Sequence, residues 1–271
     1  MLEFLKNGPL SAIAKLGRWL NYKIRSYLGI LDPVHTHRIK LARQLDAKFY
    51  STVHYGIFAG LRLSPESWWG FTSPGAMLLG IYELEVLKSL ELKPDNHRIF
   101  IDVGAADGYY AVGTLVSGLF DRTYCYEASE NGREVILRNA TNNGVLDRLV
   151  IHGFADKNFL DLIPPEDLLR AVVLIDIEGG EFDLLTSTNL EKLRCCIVFI
   201  EIHEWCLEGG SAKLQELLKR CRMTHSVTEI TTTSRDLSGF PELREMSDTD
   251  RWLVCSEGRQ RLMIWLRLDP L

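Results

Sequence analysis

Three carboxylates, Asp176, Glu178 and Glu181, crowd around Gly179 and Gly180 in the stretch LIDIEGGEF, directly after an apolar run. Further along, the run IVFIEIH ends on His203, with Glu201 two positions before it. Groups of this kind at strand ends serve as a proton acceptor, as cation ligands, or as acid that favours the start of a helix. His203 has the intrinsic basicity to take a proton from an acceptor hydroxyl, and Glu201 would orient it. A purely structural strand-end histidine remains the competing reading. Asp176, at the end of its strand, would position a cofactor or an acceptor. Glu178 points the same way only if the chain stays extended to Gly179. Glu181 falls in the first turn of the next helix, where the dipole favours acid, so replacing it is expected to cost about 0.3–1 kcal/mol. Asp176, Glu178 and His203 are also an oxygen-rich set suited to magnesium or manganese. No fixed ligand spacing supports that use, so a divalent metal is open but not favoured, and no metal residue is assigned. The candidate catalytic residues are His203, Asp176 and Glu178.

A second constellation lies upstream. The strand RIFIDV runs into a D-x-G-x-x-x-G turn, Asp102, Gly104 and Gly108, whose glycines let backbone approach a ligand closely. A nicotinamide site would prefer G-x-G-x-x-G, and the middle position here is Ala106. Glu127 closes the following strand, where an acid accepts hydrogen bonds from a ribose diol. That diol is shared by NAD and S-adenosylmethionine. The second carries no pyrophosphate but does carry an ammonium that Asp102 can help neutralise. Against this stand a turn-capping aspartate and a solvated glutamate. Taken together on consecutive strands, the acids favour S-adenosyl-L-methionine, with Asp102, Gly104, Ala105, Gly108, Glu127, Ala128, Asp156 and Asp176 as its candidate contacts.

The elements that must hold these residues alternate. RIFIDV, TYCYE, RLVIHGF, AVVLIDI and CCIVFIEIH read as strands, and YYAVGTLVSGLF, ENGREVILRNATNNG, GEFDLLTSTNLEKL and SAKLQELLKRC as helices. Such alternation predicts an α/β fold with a doubly wound, mostly parallel sheet. RWLVCSE and RLMIWLRL lie too close together for a crossover helix and read as an antiparallel pair at the C-terminal end. IPPED reads as a loop. Residues 1–53 form a basic helical extension, 54–97 a lead-in of loop or hairpin and a helix from Met77 to Leu90, and 98–271 the Rossmann-like domain. The basic helix suits docking on the protein's own body or a partner subunit in a homodimer, or peripheral contact with an anionic membrane.

Composition bounds the rest. A chain of 271 residues, 46% hydrophobic and 25% charged, can build one substantial core with an appendage. A net charge of -5 gives no general attraction to phosphate backbones, so nucleic acid is not an expected partner. Six cysteines without CxxC spacing fit a reducing cytoplasm, with the inner face of the membrane within reach of the basic helix. No apolar run approaches the roughly twenty residues of a membrane span.

The motifs FIDVGAADGYYAV, YCYEASENGREVILRNATNNG, LIDIEGGEFDLL and VFIEIHEW resemble those of FkbM-type S-adenosylmethionine-dependent methyltransferases, a branch of the class I Rossmann-like enzymes. That family shows an I-D-V-E-G-x-E type motif and an E-x-H type strand. The resemblance covers about 54–205, extends loosely to the C-terminal strands and leaves the first fifty residues uncovered. GIFAGLRL, WWG and LLGIYELEV resemble a segment often preceding that domain in bacterial members associated with polysaccharide and secondary-metabolite gene sets. It implies O-methylation of a hydroxyl on a sugar, polysaccharide precursor or small polar metabolite. Enzymes that methylate exocyclic amines commonly carry N/D-P-P-Y where this chain has D-I-E-G. An N-methyltransferase, and a non-catalytic Rossmann-like binding protein, are the alternatives. Tyr82 and Glu83 are read as structural helix-surface residues or as a lid over the cofactor, and Trp68, Trp69 and Trp205 as core packing or as a stacking surface for a sugar ring.

Overall fold

Residues whose side chains alternate between two apolar clusters require a sheet covered on both faces, and that is what the chain builds. The computed structural model describes residues 33–68, 74–259 and 261–271. Its strands are β1 (Ile99–Val103), β2 (Arg122–Tyr126), β3 (Leu149–His152), β4 (Ala171–Ile175), β5 (Ile197–Glu201), β6 (His225–Thr231) and β7 (Ile264–Pro270). They form one sheet in the order β3-β2-β1-β4-β5-β7-β6. The first five run parallel, and β7 lies antiparallel to both β5 and β6. Phe100, Val172, Leu174 and Phe199 face one cluster together with helices Leu84–Glu91, Tyr109–Val116 and Glu130–Asn142. Ile101, Val173, Ile175, Val198 and Ile200 face the other, under Glu181–Leu184, Ser187–Lys192 and Gly210–Cys221. This is the doubly wound, mostly parallel, Rossmann-like sheet expected from the alternation.

The winding reverses between β1 and β4, so the carboxyl ends of these two strands part and leave a crevice. A third cluster lies off the sheet. There Leu41, Leu45 and Phe49 of helix Pro33–Phe49 pack with Leu78, Leu243 and Val254. The described part of the basic extension therefore docks on the protein's own body, while residues 1–32 lie outside the described residues. Among the described residues no helix is long and apolar enough to cross a membrane.

Several local expectations need correcting. The antiparallel pair at the C-terminal end is β6 with β7, not RWLVCSE with RLMIWLRL. RWLVCSE falls largely within helix Asp248–Cys255, which starts where the Ser247 hydroxyl accepts the Asp250 N–H at 3.2 Å. The helix expected from Met77 to Leu90 is two, Pro74–Leu78 and Leu84–Glu91. Between them the chain passes so close to Tyr55 that a Cβ on Gly80 would sit 2.0 Å from the Tyr55 carbonyl oxygen. GEFDLLTSTNLEKL likewise divides, because the Thr186 hydroxyl accepts the Asn189 N–H at 3.1 Å and caps a second helix. IPPED contributes Pro165, Glu166 and Asp167 to a one-turn helix, Pro165–Leu168. The lead-in is hairpin-like where Thr52 bridges Arg62 antiparallel.

Candidate active site

A cleft of about 840 Å³ opens at the carboxyl ends of β1, β2 and β4. Asp102, the fourth residue of β1, presents a carboxylate only 1% exposed, and its Oδ2 has no hydrogen-bond partner. Burial pushes its pKa up to about 8; the Ala111 N–H opposes the rise, and the charges of Glu127 and Glu83 add to it. After β1 the chain turns at Gly104, φ +95°, where a Cβ would lie 1.9 Å from the Asp176 carbonyl oxygen. This glycine thus serves the close passage of two strand ends as well as access to the cleft. Gly108 opens helix Tyr109–Val116 at φ +82°. Glu127 follows β2 and is held in place by two backbone donors, Ala106 N–H at 2.8 Å and Ser129 N–H at 2.7 Å. A carboxylate has about four lone-pair sites, so two remain for a ligand. Ala105, Ala128 and Asp156 also line the cleft. Asp156 is exposed, and its Oδ1 accepts the Asn158 N–H at 2.7 Å.

On the other side of the switch point, Asp176 follows β4 with its N–H bonded to the Val103 carbonyl at 2.9 Å. Its Oδ1 lacks a hydrogen-bond partner, and burial raises its pKa to about 7. The chain does not remain extended beyond it. Glu178 turns with φ +53°, yet its carboxylate still comes within 3.6 Å of His203 Nε2. His203 is 2% exposed. Its Nε2 stands 3.7 Å from Asp176 Oδ1 and 3.5 Å from Glu201 Oε2. Its Nδ1 has no hydrogen-bond partner and lies 3.6 Å from Glu181 Oε1. Burial pulls the imidazole pKa down, but Glu181, Glu201 and Glu178 outweigh it and leave the pKa raised. Glu201 is pushed up to about 9 by burial and by the Asp176 charge. His203, Asp176 and Glu201 therefore hold protons as a coupled group.

Glu181 does more than start a helix. Fully buried, its carboxylate accepts the Gly179 N–H and the His203 N–H, both at 2.8 Å. It fastens the turn after β4 to the end of β5.

The structure adds Arg259, in a loop with no periodic signal that sequence reading could use. Arg259 bonds Glu83, Glu201 and Glu257 and lies 5.8 Å above the Tyr82 ring. Glu83 lines the cleft but does not sit on a helix surface. It is 5% exposed and receives the Tyr110 hydroxyl at 2.6 Å. Tyr82 and Trp68 line the cleft. Trp205 instead packs under Arg261, 4.3 Å from the ring centre. Trp69 lies outside the described residues.

This fold defines a Rossmann-like protein with a crevice at the switch point, the place where open α/β sheets bind ligands. No family model matches the chain, and no curated protein does. Solved structures do resemble it. An M1A22 tRNA methyltransferase of B. subtilis shares 10% identity over 69% of this chain and 65% of its own, with a TM-score of 0.46. A precorrin-6y C5,15-methyltransferase of Geobacter metallireducens shares 11% over 70% and 88%, at 0.46. An O-methyltransferase of Bacillus cereus, solved with SAH, shares 13% over 91% and 97%, at 0.47. The chain spans about two thirds of the length of the first of these. All three are methyltransferases, and at these identities the likeness is one of fold.

Proposed function

We propose that the chain is an S-adenosylmethionine-dependent methyltransferase of the FkbM type that methylates a hydroxyl of a sugar, polysaccharide precursor or small polar metabolite. The observation that carries the cofactor assignment is the Asp102 carboxylate: buried, with an oxygen left unpartnered on the cleft, beside a Glu127 anchored with lone pairs to spare. A buried acceptor without a donor is costly, and a cationic ligand relieves that cost. The ammonium of S-adenosylmethionine suits Asp102, and its ribose diol suits Glu127. Ala105, Ala128 and Asp156 would complete the contacts. When bound, the cofactor supplies an electrophilic methyl on a sulfonium, to be displaced by an acceptor oxygen.

The chain's own part is to hold that oxygen in line and take its proton. His203, Asp176 and Glu201 lie together where the proton would go, and the neutral imidazole, its basicity raised by Glu181, Glu201 and Glu178, is the acceptor. Cys125, Cys196, Cys221 and Cys255 are buried thiols outside any disulfide, which supports a cytoplasmic setting. Calorimetry with S-adenosylmethionine and its demethylated product tests the cofactor site: binding in the parent, and none in an Asp102→Ala, Glu127→Ala variant that keeps the parent's circular dichroism. Unimpaired binding by that variant would remove the site. Mass spectrometry of products made from candidate acceptors then locates the added methyl, and methylation at nitrogen would overturn the hydroxyl assignment.

A further inference from the structure

We infer that Asp176, Glu178 and His203 form a centre for a divalent first-row cation at the acceptor end of the cleft. One donor atom from each residue lies within 4.8 Å of the other two. One of these atoms is short of a partner. Asp176 Oδ1 has none, and the His203 ring, 2% exposed, directs Nε2 at Asp176 Oδ1 at 3.7 Å and Glu178 Oε2 at 3.6 Å. These separations are long for hydrogen bonds. They are close to the edge of a coordination shell, since donors about 2.1 Å from a shared ion stand roughly 3.0–3.4 Å apart. Contraction by a few tenths of an ångström would bring both carboxylates into a shell shared with the imidazole.

The donor set selects the ion. Two carboxylates with one imidazole are a nitrogen and oxygen set without sulfur, suited to Mn2+ and its neighbours more than to Ca2+, which takes oxygen ligands. The fourth wall helps fix the imidazole: Glu181 holds the His203 backbone N–H at 2.8 Å, so the ring is presented by a clamped residue. Glu178 is the most exposed of the three, its side chain 55% accessible, which leaves the ion open toward the cleft and an incoming acceptor. The purpose of such an ion rests on the proposed methyl transfer: with Nε2 given to the ion, His203 serves as ligand instead of proton acceptor, and the ion would draw electron density from the acceptor oxygen and ease loss of its proton to Glu201 beside the ring. Its binding does not depend on that reading.

The experiment uses the full chain after chelator dialysis, with free Mn2+ followed by its electron paramagnetic resonance signal and the demethylated cofactor product followed by calorimetry. Expected is one Mn2+ per chain at micromolar affinity, weakened at least 10-fold by Glu178→Gln and by Asp176→Asn and unchanged by Glu208→Gln, an exposed acid outside the cluster. Because Glu178 is exposed, Glu178→Gln should keep the parent's thermal melt and its affinity for the cofactor product. No Mn2+ binding by the parent at millimolar concentration, or binding that survives both Glu178→Gln and Asp176→Asn, overturns the centre. A parent that binds the cofactor product but not Mn2+ leaves the methyltransferase reading standing alone. One that binds Mn2+ through these residues but not the product upholds the centre and overturns the proposed function.

Discussion

Replacing Glu181 by Gln keeps the side chain's size and removes its charge, and the structure sets the cost. The carboxylate is fully buried and accepts two backbone N–H groups, Gly179 on one oxygen and His203 on the other, each at 2.8 Å. A glutamine has one oxygen, so whichever way its amide turns, one N–H meets another donor. Leaving a buried donor unsatisfied costs about 1–3 kcal/mol, and hydrogen bonds to a charged group sit at the upper end. Relief from burying the charge offsets part of this. A net loss of about 2–3 kcal/mol is expected, against the 0.3–1 kcal/mol that a helix-terminus charge alone would give. Urea denaturation followed by tryptophan fluorescence measures it as a lower midpoint at unchanged slope. A loss below about 1 kcal/mol would refute the clamp and return Glu181 to the simpler role of favouring a helix start.

Two further outcomes follow from the buried acids. The folded-state pKa of Asp102 is raised to about 8 from 3.8, so the native state holds a proton that the unfolded chain releases. Its contribution to stability is complete below the unfolded value and declines as pH rises toward about 8, by at most about 1.4 kcal/mol per pH unit. Asp102→Asn should flatten the decline of stability between pH 5 and 8 in chemical melts of the unliganded protein, and an unchanged slope would count against the buried, protonated carboxyl. His203→Ala should lower kcat by roughly 100- to 10,000-fold with cofactor affinity nearly unchanged, read by steady-state kinetics beside calorimetry. Parent turnover in that variant at neutral pH would end the proton-acceptor role.

The parallel half of the sheet was legible because β4 and β5 are buried along their whole length and announce themselves as apolar runs. The acids at their ends were legible for the same reason: a charge directly after a buried strand is conspicuous. β6 was missed because HSVTEIT, at the sheet's edge, shows solvent most of its side chains and carries little apolar pattern. RWLVCSE misled through its β-favouring tryptophan, valine and cysteine, when the Ser247 cap decides a helix there. Glu178 was expected to need extended backbone to point the same way as Asp176; the chain takes a left-handed turn there instead, and its carboxylate lies 3.6 Å from His203 Nε2. Arg259 had no signal at all, since its importance comes from carboxylates far away in the chain.

The position of β7 bears on how the protein is made. It is the last of the seven strands in chain order, yet it lies inside the sheet, and β6 pairs with it alone. A nascent chain that has emerged only through β6 can assemble the five parallel strands with their first helices, but β6 must wait unpaired. The loop that carries Arg259 to Glu83 and Glu201 comes just before β7 and is drawn into place by the same event. The switch-point crevice and its Asp102 wall would thus be formed while the acceptor side is still open. On the proposed function, the Asp102 wall precedes the Arg259 contacts, and the complete site waits for residues 264–270.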